Sequence, residues 1–408
     1  MNNLYKGSAK VGDKLFVLGS VLMVILLPIH KMSTTIAFTI MLIGFVLGKK
    51  SFKGISHTSW ILFASICAYF LFHVVSYFLS TNKIYAFDDL FIKAPLLLLP
   101  LMFIFRAKLS NFHTKLIMNT FILSNLAMGL VILFRFVIHY AIHAEFIMMD
   151  QLLDFTIMHP SYLSISMILG LLMWLVSSEK VAPLKSRSAQ LAGTVVSTSS
   201  IFLLGSRMAI LVLIFVLLGL VIARLGALKG IISAISILLL AVLITINIPY
   251  LNERFSKAAN MFTHSAIEVN EYIVDDRLMT WKNSLELIKE KPIWGYGLGD
   301  YRFSILSEKH NVSGFGKGYR QKLNAHNQFM ESWLALGVLG FISLISIYLI
   351  AGYISIKNHQ LIFAVFLMIS ILFATVESTF QSQGGIMFFG FFIAFFIQGN
   401  HKELKPNG

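Results

Sequence analysis

Arg207, Arg277 and His326 are side chains whose combined chemistry suits work on a phosphate. A guanidinium is charged at every physiological pH, and its planar fork of donors fits a phosphate bidentately. An imidazole titrates at about 6.5 in model peptides, which suits a general base close to neutrality. Arg207 closes a tight turn, Gly205-Ser206-Arg207, between two apolar runs. Arg277 lies in a polar stretch from Pro249 to Leu323, and Asn324-Ala325-His326-Asn327 leads from it into the next apolar run. Two fixed cations and a base at a membrane face fit a reaction on a lipid-linked phosphate.

Each residue also has a plainer reading. Arg207 at a helix end could simply snorkel to the interface. Arg277 could pair with Asp275 or Asp276 beside it, and Asn324 or Asn327 could cap the helix that follows. Further candidates for binding substrate are Asn327, then Lys93 near the outer end of an apolar run, and His159, which precedes Pro160 at the opening of another. His139 and His143 have i, i+4 spacing but no evident third ligand. There is no Asp-x-Asp motif and no cluster of carboxylates to hold magnesium. We therefore expect no metal and no cofactor, with arginines neutralising the phosphate instead.

The elements that must position these residues are read from composition. The chain has 408 residues, is 57% hydrophobic and only 13% charged, and its mean hydropathy is +0.78. Soluble domains average about 25% charged residues. Twelve apolar stretches are candidate spans: 15–30, 34–48, 58–80, 90–105, 116–138, 160–177, 189–205, 207–223, 230–248, 328–353, 360–377 and 384–399. The expected fold is therefore an all-α polytopic membrane protein of about twelve transmembrane helices, with a long extracytoplasmic loop before helix 10. The net charge of +14 does not point to nucleic acid, because the basic residues sit mostly in short loops.

Alternate loops carry the lysines and arginines, which places both termini in the cytoplasm. The division expected is 1–248 for helices 1–9, 249–327 for the outer loop, and 328–408 for helices 10–12 with a cytoplasmic tail. Within the loop, a helix opens near Arg277 and ends before Pro292, with Leu278, Trp281, Leu285 and Ile288 on one face. Gly295-Tyr-Gly297-Leu-Gly299 follows a helix and a proline rather than a strand, so it reads as a turn-rich connection and not a dinucleotide fingerprint. The single cysteine, Cys67, cannot form an internal disulfide.

Three pieces in this order resemble the superfamily of O-antigen ligases and polymerases, bacterial membrane glycosyltransferases. They are Gly-Ser-Arg207 after a short turn, Asp-Arg277-Leu-Met-Thr-Trp281 followed by Pro292-Ile-Trp-Gly-Tyr-Gly, and Ala-His326-Asn327-Gln-Phe followed by Leu336-Gly337-Val-Leu-Gly340. The resemblance implies a GT-C-like helical membrane fold in the bacterial inner membrane, with the active site at its periplasmic face. It implies that Arg207 and Arg277 contact a diphosphate and that His326 is essential. The donor it implies is a glycan on undecaprenyl diphosphate, and the acceptor is lipid A-core or a second lipid-linked repeat. A protein hydroxyl as acceptor, or a transporter of lipid-linked sugars, are the competing expectations.

Overall fold

The computed structural model describes residues 2–143, 158–176, 186–247 and 276–398, except 31, 52–54, 107 and 226, together with 252 and 256. The expected cap Asp275, most of the loop from 249 to 275, the basic loop residues Lys180 and Lys185, and the tail from 399 lie outside the described residues.

Helices build this molecule. They are α1 (Asn2–Leu26), α2 (Thr34–Leu47), α3 (His57–Leu79), α4 (Lys83–Ile104), α5 (Asn111–His143), α6 (Pro160–Val176), α7 (Arg187–Leu203), α8 (Arg207–Leu225) and α9 (Ala227–Asn247), then α10 (Asp276–Glu290), α11 (Ser307–Val312), α12 (Gly316–Gln321), α13 (Gln328–Lys357), α14 (Leu361–Ala374) and α15 (Gln383–Gln398). No strand occurs among the described residues; an isolated antiparallel bridge joins Lys50 to Arg106. A helix underlies each apolar stretch because apolar backbone must satisfy its hydrogen bonds internally where water is absent. Among the described residues three helices, α3, α5 and α13, are long and apolar enough to cross a membrane by length and composition.

The bundle is organised around α15. Its phenylalanines are buried on every side, and Phe389, Phe392 and Phe396 pack on Phe366 of α14 while Phe391 packs on Phe103 of α4. A helix apolar all round belongs in such a centre. The outer helices turn bulky apolar residues outward: Phe91 is 71% exposed and Phe134 66% exposed, as suits contact with lipid.

The α13 helix is not the continuous span that its composition suggests. It breaks at Gly337, which has φ 72° and ψ −171°. The groups freed by the break are taken up by the segment after α10. Tyr296 N–H donates to the Leu334 carbonyl (2.7 Å), Gly297 N–H to the Ala335 carbonyl (3.2 Å), and Val338 N–H donates back to the Pro292 carbonyl (2.9 Å). The Trp333 indole donates to the same Pro292 carbonyl at 2.8 Å. On the other side the segment is laced to α3: Ser76 Oγ donates to the Ala335 carbonyl and accepts from Leu298 N–H, and Ser80 Oγ accepts from Gly299 N–H. Asp300 then accepts from Thr81 and Asn82 N–H in the turn before α4. The turn-rich glycine segment thus docks between a broken helix and a helix end.

Candidate active site

Arg277 sits in the first turn of α10. Of the two acids expected beside it, Asp275 lies outside the described residues and Asp276 pairs with Lys317 of α12. Arg277 reaches across to the connection between α14 and α15. Its Nη2 donates to Glu377 Oε1 at 2.7 Å and its Nε to the Val376 carbonyl at 3.0 Å. The buried stripe of α10 is also offset from the apolar face expected from the sequence. Thr280, Asn283, Ser284, Leu287 and Ile288 are buried, whereas Leu285 is exposed. The reason is that α10 packs on polar neighbours: Asn283 donates to Ser313 Oγ and bonds the His310 ring, each at 2.8 Å.

His326 is held in an unusual conformation. Its φ is 45°, the left-handed region that a non-glycine residue rarely adopts. Its N–H donates to Asn324 Oδ1 at 3.0 Å, and its carbonyl accepts from the Trp281 indole at 3.3 Å. The preceding residue is fixed by a buried carboxylate. Glu331 Oε2 accepts from Ala325 N–H and from Ser378 Oγ, both at 2.9 Å, and its Oε1 accepts from Tyr301 OH at 2.6 Å. Glu331 therefore ties the His326 turn to the 378–381 connection and to the segment after α10. Backbone held off its preferred region persists where the surroundings over-determine it, and such sites cluster where function needs a fixed side chain.

Glu377 is the residue that joins these parts, and sequence reading missed it. Its Oε2 lies 3.6 Å from His326 Nδ1, an ion-pair distance rather than a hydrogen bond. Its Oε1 takes Arg277 and, at 3.4 Å, Ser161 Oγ at the start of α6. Burial pushes its carboxyl up, but the facing His326 ring, the Arg277 charge and the nearby His159 outweigh that and hold it down at about 2. Glu377 is thus an anion at physiological pH, fixed between a guanidinium and an imidazole. A carboxylate facing Nδ1 at this distance resembles the acid–imidazole pairing of a catalytic triad without its hydrogen bond.

The other expected residues divide. His159 stands at the N-terminal end of α6, close enough for its charge to act on Glu377. Asn327 is committed to structure: Oδ1 caps α13 by accepting from Phe329 and Met330 N–H, and Nδ2 donates to the Thr375 carbonyl. Lys93 is 2% exposed and pairs with Asp89 one turn earlier on α4, so it neutralises that carboxylate within the bundle. The apolar run expected from residue 90 hid this partner, because α4 begins seven residues sooner, at Lys83. Arg207 opens α8 after Gly205, whose φ of 61° makes the turn. That helix packs against α6 and α14, whose ends lead to His159 and Glu377.

The described residues define a class first: a helical protein with helices long and apolar enough to span a membrane, and with Arg277, His326 and Glu377 gathered at helix ends. Residues 192–345 match the model of a family described as O-antigen ligase. The resemblance to the O-antigen ligase and polymerase superfamily is thereby borne out over that stretch, which contains Arg207, Arg277 and His326. An uncharacterised protein of Haemophilus influenzae is similar as well, 31% identical over 138 residues. That similarity covers 30% of this chain and 33% of the relative, so the chain spans about a third of the relative's length.

Proposed function

We propose that this chain is an O-antigen ligase that moves a finished glycan from undecaprenyl diphosphate to lipid A-core at the periplasmic face of the bacterial inner membrane. The observation that carries the reading is Glu377 standing between Arg277 and His326. The outer segment proposed for 249–327 supplies Arg277 and His326, the helices of 1–248 supply Arg207, and those of 328–408 supply Glu377.

In this reading Arg207 and Arg277 hold the diphosphate, and Glu377 fixes the direction of the Arg277 fork. His326 Nε2 takes the proton of an acceptor sugar hydroxyl. The hydroxyl oxygen attacks the anomeric carbon, the bond from that carbon to the diphosphate oxygen breaks, and undecaprenyl diphosphate leaves. The imidazolium that forms is stabilised by the Glu377 carboxylate. Charge growing on the leaving group meets two fixed cations, which need no reorganisation as the reaction proceeds. A single displacement inverts the anomeric centre, and this route requires neither a metal nor a cofactor.

The test is a lipopolysaccharide gel from cells lacking the gene, with a probe for prenyl-linked glycan. Core without O-chain, and polymer accumulating on the prenyl lipid, is the expected result. Core carrying one repeat would make the protein a polymerase, and an unchanged ladder would overturn both. In purified form the protein should transfer glycan without an ion gradient; a requirement for one would favour a carrier. His326→Ala should lower transfer by roughly 10²–10⁴-fold, the usual worth of a general base.

A further inference from the structure

The end of the bundle opposite His326 carries a cleft of its own. Two connections fix which end it is on. The α4 helix starts beside Asp300, on the side of the candidate active site, and runs away from it to Phe105 and Arg106. Gln383, which opens α15 just after the Glu377 connection, bonds Thr35, close to the C-terminal end of α1. The N-terminal half of α1 and the corner between α4 and α5 therefore lie at the far end. Between them is a cavity of about 510 Å³, within the ~300–1,000 Å³ range of small-molecule sites.

Its lining divides into two zones. One is polar and basic: Lys14 from α1, Arg106 and Lys108 from the corner, and the imidazole of His113 from the first turn of α5. Asp13 is the acid among the lining residues, and Arg106 Nη2 already bonds it at 3.2 Å. The other zone is apolar, formed by Val17, Leu18 and Val21 of α1 with Leu116 of α5. Leu18 is 48% exposed and Leu116 38% exposed, so this wall continues onto the outer apolar surface of the bundle.

Arg106 is a built feature rather than a surface charge. It is 7% exposed, its guanidinium stacks 3.9 Å over the Phe16 ring, and its Nη1 is buried with no hydrogen-bond partner. A buried guanidinium donor left unmatched is costly. The Arg106 charge lines the cleft, where an anion would be drawn to it together with Lys14 and Lys108. The α5 N-terminus, capped by Ser110 Oγ on His113 N–H, adds its positive end to the same cleft. A soluble anion would need the cations alone; the apolar wall, open to the side, fits a ligand that also has hydrocarbon chains.

We propose that this cleft binds one anionic phospholipid of the leaflet opposite the catalytic face, with its phosphate against Arg106, Lys14 and Lys108 and its acyl chains along the α1–α5 wall. Basic pockets between membrane helices hold anionic head groups in this manner. The site is independent of the glycan chemistry and stands whatever the acceptor proves to be.

Native mass spectrometry of the full chain in detergent, titrated with phosphatidylglycerol or phosphatidylcholine, tests it. One phosphatidylglycerol should be retained in preference to phosphatidylcholine. Replacing the two exposed lysines, Lys14→Gln with Lys108→Gln, should reduce that preference by about fivefold per lysine. Should the double variant fail to fold, each single variant is read instead. Equal retention of the two lipids, or an unchanged preference in the variants, overturns the proposal. Displacement of phosphatidylglycerol by millimolar glycerol phosphate overturns it too, since the ligand would then be a soluble phosphate ester.

Discussion

Glu377 anchors the Arg277 fork and faces His326 Nδ1 at 3.6 Å, and in the proposed mechanism it steadies both. Two outcomes separate those duties. Glu377→Gln keeps the shape but removes the charge that stabilises an imidazolium, so kcat should fall by roughly 10²-fold or more while KM changes little. Arg277→Lys keeps a charge but loses the fork, so it should weaken donor binding and turnover together. Steady-state transfer with purified protein reads both, and a Glu377→Gln variant with wild-type kcat would remove Glu377 from the mechanism. The three residues named from the sequence carried a visible signal: unusual polarity at the ends of apolar runs. Glu377 did not, because it lies 100 residues from Arg277 and has no motif around it. One signal was present. Between Glu331 and Glu403 it is the sole carboxylate in the sequence, at the edge of an apolar run where an acid is expensive.

At the scale of elements, the join between α13 and Pro292–Asp300 should govern stability. A Cβ on Gly337 would fall 1.9 Å from the Ile293 carbonyl oxygen, at a backbone φ of 72°. Gly337→Ala should therefore cost more than the ~1–3 kcal/mol of the strained backbone alone, seen as a large loss of thermal stability in detergent. Ser76→Ala deletes a donor and an acceptor at the same join and should cost about 1–3 kcal/mol. Acid should loosen the neighbouring layer as well. Burial holds the His310 ring down at about 4, against the pull of the Leu323 backbone and with help from the His326 charge. Its folded pKa is below its ordinary 6.5, so the stability of its neutral state is complete above about 6.5 and is lost as pH falls towards about 4. Hydrogen exchange across α10 and α11 should speed up over that window, and His310→Gln should flatten the dependence. Helix positions were legible because apolar length survives any tertiary context. The α13 break was not, because Gly337 within an apolar run reads as one tolerated glycine until the segment that occupies the gap is placed beside it.

Over the whole molecule, the arrangement predicts sidedness. Cys67 is the single native cysteine, so a Cys67→Ser background with Asn311→Cys or Lys115→Cys gives two probes, both at exposed positions. A membrane-impermeant thiol reagent applied from the periplasm should label Asn311→Cys and spare Lys115→Cys; labelling of both from one side would overturn the orientation. The basic loops already suggested this arrangement, whereas the meeting of Glu377, Arg277 and His326 depends on three separate parts of the chain and is a property of the assembled bundle. The bent α13 has a consequence for how that assembly is reached. During synthesis α3 emerges first, Pro292–Asp300 second and α13 last. Nothing in the apolar sequence of α13 forbids it from entering the bilayer as a straight rod. Bending it strands the Leu334 and Ala335 carbonyls and the Val338 N–H unless the waiting segment receives them. The bend is thus conditional on its neighbour: α13 keeps its final shape only while Pro292–Asp300 lies against α3 to receive the groups it frees.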